Sequence, residues 1–254
     1  MAALRALFWP LIAGVVILGG WEIWVNVADV EQFLLPAPSA IARALQENFS
    51  TVAEAARATF KSALYGFLLG GSAGFLVALV SSRFRRLGDG LTPLAIVLAS
   101  TPIVVLAPIA NIWFGITSAA AKIVVVAVVT FFPVFVNAAR GLDSVSSSDI
   151  ELMRSYGASR MTILLRVRIP TSLPMLFVGL KIAASLAMIT TIVSEYFGGS
   201  RRTLGVYITQ AASVVRFDDA WAGIVAACVL ALTLYGGVQL LERLVAPWYT
   251  RRAQ

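Results

Sequence analysis

Apolar residues run along the chain in blocks of about twenty, the length an α-helix needs to cross the hydrocarbon of a bilayer. Six blocks are read, at about 7–27, 62–80, 91–114, 119–139, 175–196 and 220–241. The predicted fold is all-α and integral to the membrane, one domain over residues 1–254 with six transmembrane helices. Trp9, Trp21 and Trp24 near the ends of the first block suit the headgroup level. That block is too long for a cleaved signal peptide and lacks a small-x-small cleavage site before a polar start, so it is assigned as a span. Glu22 in it is expected to reach water at the membrane surface.

Polar stretches divide the blocks. Residues 28–60 predict an external loop and an amphipathic surface helix with Ser39 as its N-cap, after Leu35-Pro36-Ala37-Pro38. In the second block Gly66, Gly70, Gly71 and Gly74 allow close helix approach, which predicts a place at the bundle centre. Arg83, Arg85 and Arg86 follow at once. The third block is broken by Pro93, Pro102 and Pro108 and carries Ser100, Thr101 and Asn111. A broken helix at membrane depth needs protein or a water-filled cavity to satisfy its freed backbone groups. This block therefore either lines a solute path or is a kinked helix packed on its neighbours. Lys122, at the start of the fourth block, is expected to snorkel outward.

The fifth block carries Lys181 and then Ser185, Thr190, Thr191, Ser194, Glu195 and Tyr196. An ionisable group beside hydroxyls at this depth is a functional hypothesis by default. The alternative, given Gly198 and Gly199 just beyond, is that Glu195 sits at the outer interface. Residues 201–219 predict an external loop with a helical section before the last span.

One long segment, within the loop at 140–174, is charged and helical among these blocks. Ser148 three residues before Glu151 forms a capping box and predicts a helix of about two turns, with Ile150 and Met153 on one face. Gly157 then accepts a left-handed backbone and sets a bend. A second amphipathic helix is expected from about Ser159 to Arg168, stopped by Pro170 and Pro174.

Composition narrows the function. With 59% apolar and 13% charged residues, there is too little polar surface to cover a soluble globule of 254 residues. The net charge of +7 comes from basic residues dispersed beside apolar blocks, which fits membrane topology and not nucleic acid. The chain has no histidine, and Cys228 stands alone in an apolar run. This excludes an intramolecular disulfide, a Cys/His metal site and histidine-based catalysis. No Gly-x-x-x-x-Gly-Lys-Ser/Thr loop occurs, so the chain does not itself cradle ATP in that manner.

The spacing Glu151-Leu152-Met153, Gly157, Val167-Arg168-Ile169-Pro170 resembles the EAA signature of bacterial ABC importer permeases, Glu-Ala-Ala, Gly, Ile-x-Leu-Pro at the same intervals. Glu151, Gly157 and Pro170 match; Leu152 and Met153 replace the alanines, and Val167 and Ile169 replace Ile and Leu. Leu-Pro-x-Pro-Ser at 35–39 and Glu-Tyr-Phe-Gly-Gly at 195–199 are similar to the nitrate, sulfonate and taurine branch. The resemblance implies a type I importer permease whose cytoplasmic coupling helix sits in a groove on a separate ATPase. Glu151, Leu152, Met153, Gly157, Val167, Ile169, Pro170 and Pro174 would form that coupling region. It further implies a second copy of the chain, two ATPase subunits holding ATP and Mg, and an external binding protein, in the bacterial inner membrane. Ser100, Thr101, Asn111, Thr190, Thr191, Ser194, Glu195 and Tyr196 are the candidates for the solute path. The solute expected is a sulfonate, taurine, nitrate, aromatic carboxylate or pyrimidine-type vitamin precursor.

Basic residues fix the expected orientation. Arg83, Arg85 and Arg86 crowd one short loop, whereas the turn at 115–118 on the opposite side has none. The positive-inside rule then places both termini and the 140–174 loop in the cytoplasm. Two other classes compete. A membrane-embedded enzyme needs convergent catalytic groups, which scattered serines without histidine do not supply. An ATP-independent carrier predicts inverted repeats, and none is visible.

Overall fold

A computed structural model describes residues 2–31, 33–84, 90, 93 and 102–250. Among these residues the structure is helical throughout, with no strand. Ser100, Thr101, Arg85, Arg86, Arg251 and Arg252, and most of the third block before Pro102, lie outside the described residues.

The elements follow the apolar blocks: α1 (Ala2–Val27), α2 (Pro38–Glu47), α3 (Phe49–Arg83), α4 (Ile103–Phe114) and α5 (Ala119–Asp143). After these come α6 (Ser147–Ser155), α7 (Arg160–Ile163), a π-helical turn (Leu164–Arg168), α8 (Ile169–Tyr196), α9 (Leu204–Ser213), α10 (Phe217–Val245) and α11 (Pro247–Thr250). Four continuous helices, at 49–83, 119–143, 160–196 and 217–245, are long and apolar enough to cross a membrane. Shorter apolar helices at 12–27 and 104–114 complete the six.

The three central helices are α3, α5 and α8. Their shared core holds Phe67, Val134, Phe135, Phe177 and Met188. Glycine explains how α3 and α5 come so close. A Cβ on Gly66 would meet Val126 at 2.5 Å, one on Gly74 the Phe131 carbonyl at 2.6 Å, and one on Gly70 would overlap the Ala127 carbonyl. The expected small-residue seam is therefore real. The second block nevertheless starts earlier than its hydropathy suggests: α3 has 35 residues and is about 52 Å long, well beyond a hydrocarbon layer of about 30 Å. Its first three turns carry Glu54 and Arg57 and so fall outside the apolar block.

In α1 the apolar surface remains open, with Val15, Val16 and Ile17 each about two-thirds exposed. The helix is tethered instead by Trp21, edge-on to Trp221 of α10 at 5.6 Å, and by Glu22. The Glu22 carboxylate accepts the Ser39 amide at 3.0 Å and the Ser39 hydroxyl at 2.7 Å. This corrects two expectations. Glu22 is a tertiary cap for α2 and not a carboxylate merely reaching water, and Ser39 lies inside that helix, after Ala37 and Pro38.

Candidate functional site

Two ends of the bundle carry the polar residues that the sequence singles out. At one end lies α6, nine residues long. Its N-cap is Ser146, whose hydroxyl accepts the Asp149 amide at 3.1 Å, so the cap sits two residues before the expected Ser148. Ser146 and Asp149 repeat the same Ser-x-x-acid spacing, and Ser148 is already helical. The helix closes on Gly157, at φ +75°, where the Ala158 amide reaches the Met153 carbonyl at 3.0 Å and the Gly157 amide reaches Arg154 at 2.9 Å. This is the left-handed closure expected of glycine. A Cβ on Gly157 would meet nothing within 4 Å, so backbone conformation and not space selects the residue. Glu151, Leu152 and Tyr156 are exposed, while Ile150 and Met153 are half-buried.

Beyond the bend Ser159 caps α7 by accepting the Thr162 amide at 3.2 Å. Pro170 and Pro174 do not stop the helix that follows, which runs unbroken through α7, the π turn and α8 to Tyr196, 37 residues or about 55 Å. The π turn is the reason. Its i→i+5 pattern, with the Ile169 amide on the Leu164 carbonyl, shifts the carbonyls that the Pro170 ring would otherwise strike. Val167, Ile169 and Pro170 thus form a continuous shaft joining the α6 bend to the membrane span, and Pro174 lies inside α8.

At the opposite end the C-terminus of α8 meets α3, α5 and α9. Glu195, 1% exposed, accepts the Gly205 amide at 2.8 Å and the Thr59 hydroxyl at 3.0 Å. The Thr59 oxygen in turn accepts the Leu204 amide at 2.9 Å. Thr203, the N-cap of α9, makes no capping bond of its own, so α3 and α8 supply both acceptors for the first turn of α9. Glu195 thus holds a helix start.

Lys122 is likewise buried and does not snorkel. Its ammonium donates to the Ile116 carbonyl at 2.5 Å and to Asn111 Oδ1 at 3.0 Å, at the C-terminal end of α4 where cations are favoured. Asn111 also donates to the Phe197 carbonyl at 3.3 Å, joining α4 to the end of α8. A cavity of about 330 Å³ opens beside these groups, bordered by Lys61, Ser62, Tyr65, Lys122, Glu195 and Thr203. Thr190, Thr191 and Ser194 are buried in the bundle, and Thr191 bonds back to the Ala187 carbonyl at 2.8 Å, while Tyr196 is 45% exposed.

Several polar residues here carry no warning in the sequence. Thr59 falls in the stretch read as an external loop and surface helix, and Lys61 just after it. Asp219 accepts from Asn48 at 2.8 Å and pairs with Arg216 at the start of α10. Glu242 of α10 pairs with Lys181 of α8 at 2.7 Å. On α9, burial and then the Asp219 charge push the Tyr207 phenol up to about 12, so it stays neutral. Among the described residues no cluster of side chains is arranged to hold a metal ion.

The comparisons agree with this architecture. The riboflavin transport system permease protein RibX of Chloroflexus aurantiacus is 29% identical over 90% of this chain and 85% of its own length. The taurine transport system permease protein TauC of Escherichia coli is 30% identical, over 76% of this chain and 66% of its own. In fold, the chain is similar to one from the inward-facing MetNI methionine ABC transporter, with a TM-score of 0.57 at 22% identity over 78% of this chain and 95% of that one. Residues 66–251 match the model of the binding-protein-dependent transport system inner membrane component, and the chain belongs to that family as an ABC importer permease subunit for a small solute.

Proposed function

We propose that this permease works as a homodimer with two ATPase subunits, which hold ATP and Mg, and takes its solute from an external binding protein. Both termini and α6 face the cytoplasm in this reading, in the bacterial inner membrane, in keeping with the arginines beside α6. The observation that carries it is the unbroken helix from Arg160 to Tyr196. A push on α6 turns at the Gly157 bend and travels along one continuous helix to the Glu195 network and the cavity at the far end. Glu151, Leu152 and Met153 would touch the ATPase, and Val167, Ile169, Pro170 and Pro174 would carry the movement. Asn111, Thr190, Thr191, Ser194, Glu195 and Tyr196 would border the path, with Ser100 and Thr101 on the same third block. ATP-driven closure of the ATPases opens the cavity outward, and hydrolysis reverses it. The solute class follows the relatives, from sulfonate-like anions to heteroaromatic vitamins.

The test is purification of the tagged chain from its own membrane in mild detergent, with identification of every chain that accompanies it. An ATPase in equal copy number is the expected result. A chain that emerges alone and intact overturns the proposed assembly.

A further inference from the structure

Between the end of α3 and the α6–α7 bend lies a second cavity, of about 380 Å³, lined by Arg83, Arg154, Arg160 and Arg168 together with the apolar Ile150 and Leu164. Among the described residues no acidic side chain borders it. Among the described residues the ion pairs elsewhere use none of these four arginines; Arg83 packs only over its neighbour Phe84, 5.5 Å from the ring centroid. A positive-inside bias accounts for arginines on this side of the membrane, but not for their convergence on one hollow from three separate elements. Four arginines lining one space carry like charge, and an anion between them turns that mutual repulsion into attraction.

The direction in which the cavity faces separates it from the surface offered to the ATPase. Ile150 and Arg154, four residues apart, lie on the side of α6 turned back toward α3. Leu152 and Tyr156, 56% and 81% exposed, lie on the other side and point away. We propose that the four arginines bind a phosphate group, whose oxygens match the planar guanidinium fork in a way that a point charge does not. The partly apolar lining suits an anionic phospholipid, and free phosphate offers the same headgroup chemistry. The occupant bridges Arg83 of α3 to Arg154 of α6 and to Arg160 and Arg168 on the shaft, so it braces the bend. Binding stands on the cavity alone; its effect on coupling rests on α6 being the ATPase contact.

The test uses the purified full chain in mixed micelles. Native mass spectrometry measures retained phosphatidylglycerol against phosphatidylcholine, and phosphorus NMR line broadening measures inorganic phosphate. The expected result is selective retention of phosphatidylglycerol that falls about tenfold in Arg154→Gln/Arg160→Gln and is unchanged in Arg201→Gln/Arg202→Gln at the far end. Broadening of inorganic phosphate that is lost in the same variant, without lipid selectivity, supports the site with free phosphate as its source. Failure to bind either anion, or binding that the variant leaves unchanged, overturns it. So does a variant that sheds the co-purified ATPase while anion binding stays the same, since the arginines would then be a docking surface for acidic protein.

Discussion

Around α9 the charged groups Glu195 and Lys122 are buried and held by the Gly205 amide and Thr59 hydroxyl and by the Ile116 carbonyl and Asn111, whereas around α6 Glu151, Arg83, Arg154 and Arg160 are exposed and Arg168 half-buried, with no ion-pair partner among the described residues. The same residue types therefore do opposite work at the two ends. Where a carboxylate or ammonium finishes a helix terminus, its removal strands buried backbone groups and the fold suffers. Where it meets only solvent, its removal leaves the fold alone and any loss appears in assembly or coupling.

The largest expected effect is that of Glu195→Ala, which leaves the Gly205 amide and the Thr59 hydroxyl buried without an acceptor. Thermal unfolding in detergent should register a loss of about 3 kcal/mol. Lys181→Ala comes next, at roughly 2–3 kcal/mol, because Glu242 is then left nearly buried and unpaired. The double variant with Glu242→Ala should recover part of that loss, and strict additivity would show that the pair is not coupled. For Lys122→Met the expected loss is about 2 kcal/mol, as the Ile116 carbonyl and Asn111 lose their donor. A variant as stable as the parent would mean that the lysine is not held inside.

At the α6 end the effects on stability shrink while those on activity grow. Gly157→Val forces a β-branched residue into the left-handed region at a cost of about 1–2 kcal/mol and should abolish substrate-stimulated ATP hydrolysis with membrane insertion intact. Gly157→Asn, which tolerates that backbone, should retain most of it; normal stimulation in the valine variant would sink the coupling role. The smallest change in stability belongs to Glu151→Ala, within about 0.5 kcal/mol, with weakened ATPase co-purification as its main readout. Destabilisation as deep as that of Glu195→Ala would erase the contrast between the two ends.

The long apolar helices, the bend at Gly157 and the glycine seam of α3 are legible in the chain, because each depends on residues within a few turns of one another. The order of motifs around Glu151 also suffices to indicate the family. The errors have a shared cause. Glu22 caps a helix 17 residues away, Glu195 bonds Thr59 at a separation of 136, and Asn48 meets Asp219 at 171. Such partners leave no periodic trace. Glu22 reads from the sequence as a carboxylate reaching water, because the amide and hydroxyl that it accepts lie on a separate element.

Pro170 failed as a stop signal for a related reason, and Pro174, whose i−4 carbonyl is that of Pro170, lies inside α8 beyond the π turn. Proline's cost in a helix depends on where the preceding carbonyls lie, and the π turn at 164–168 moves them. By itself, then, the sequence determined what can cross the membrane and where the chain must turn, since hydropathy and backbone allowance are local properties. Only the tertiary structure decided which charges are consumed inside the bundle and which remain for partners, because burial and hydrogen-bond satisfaction depend on what packs alongside.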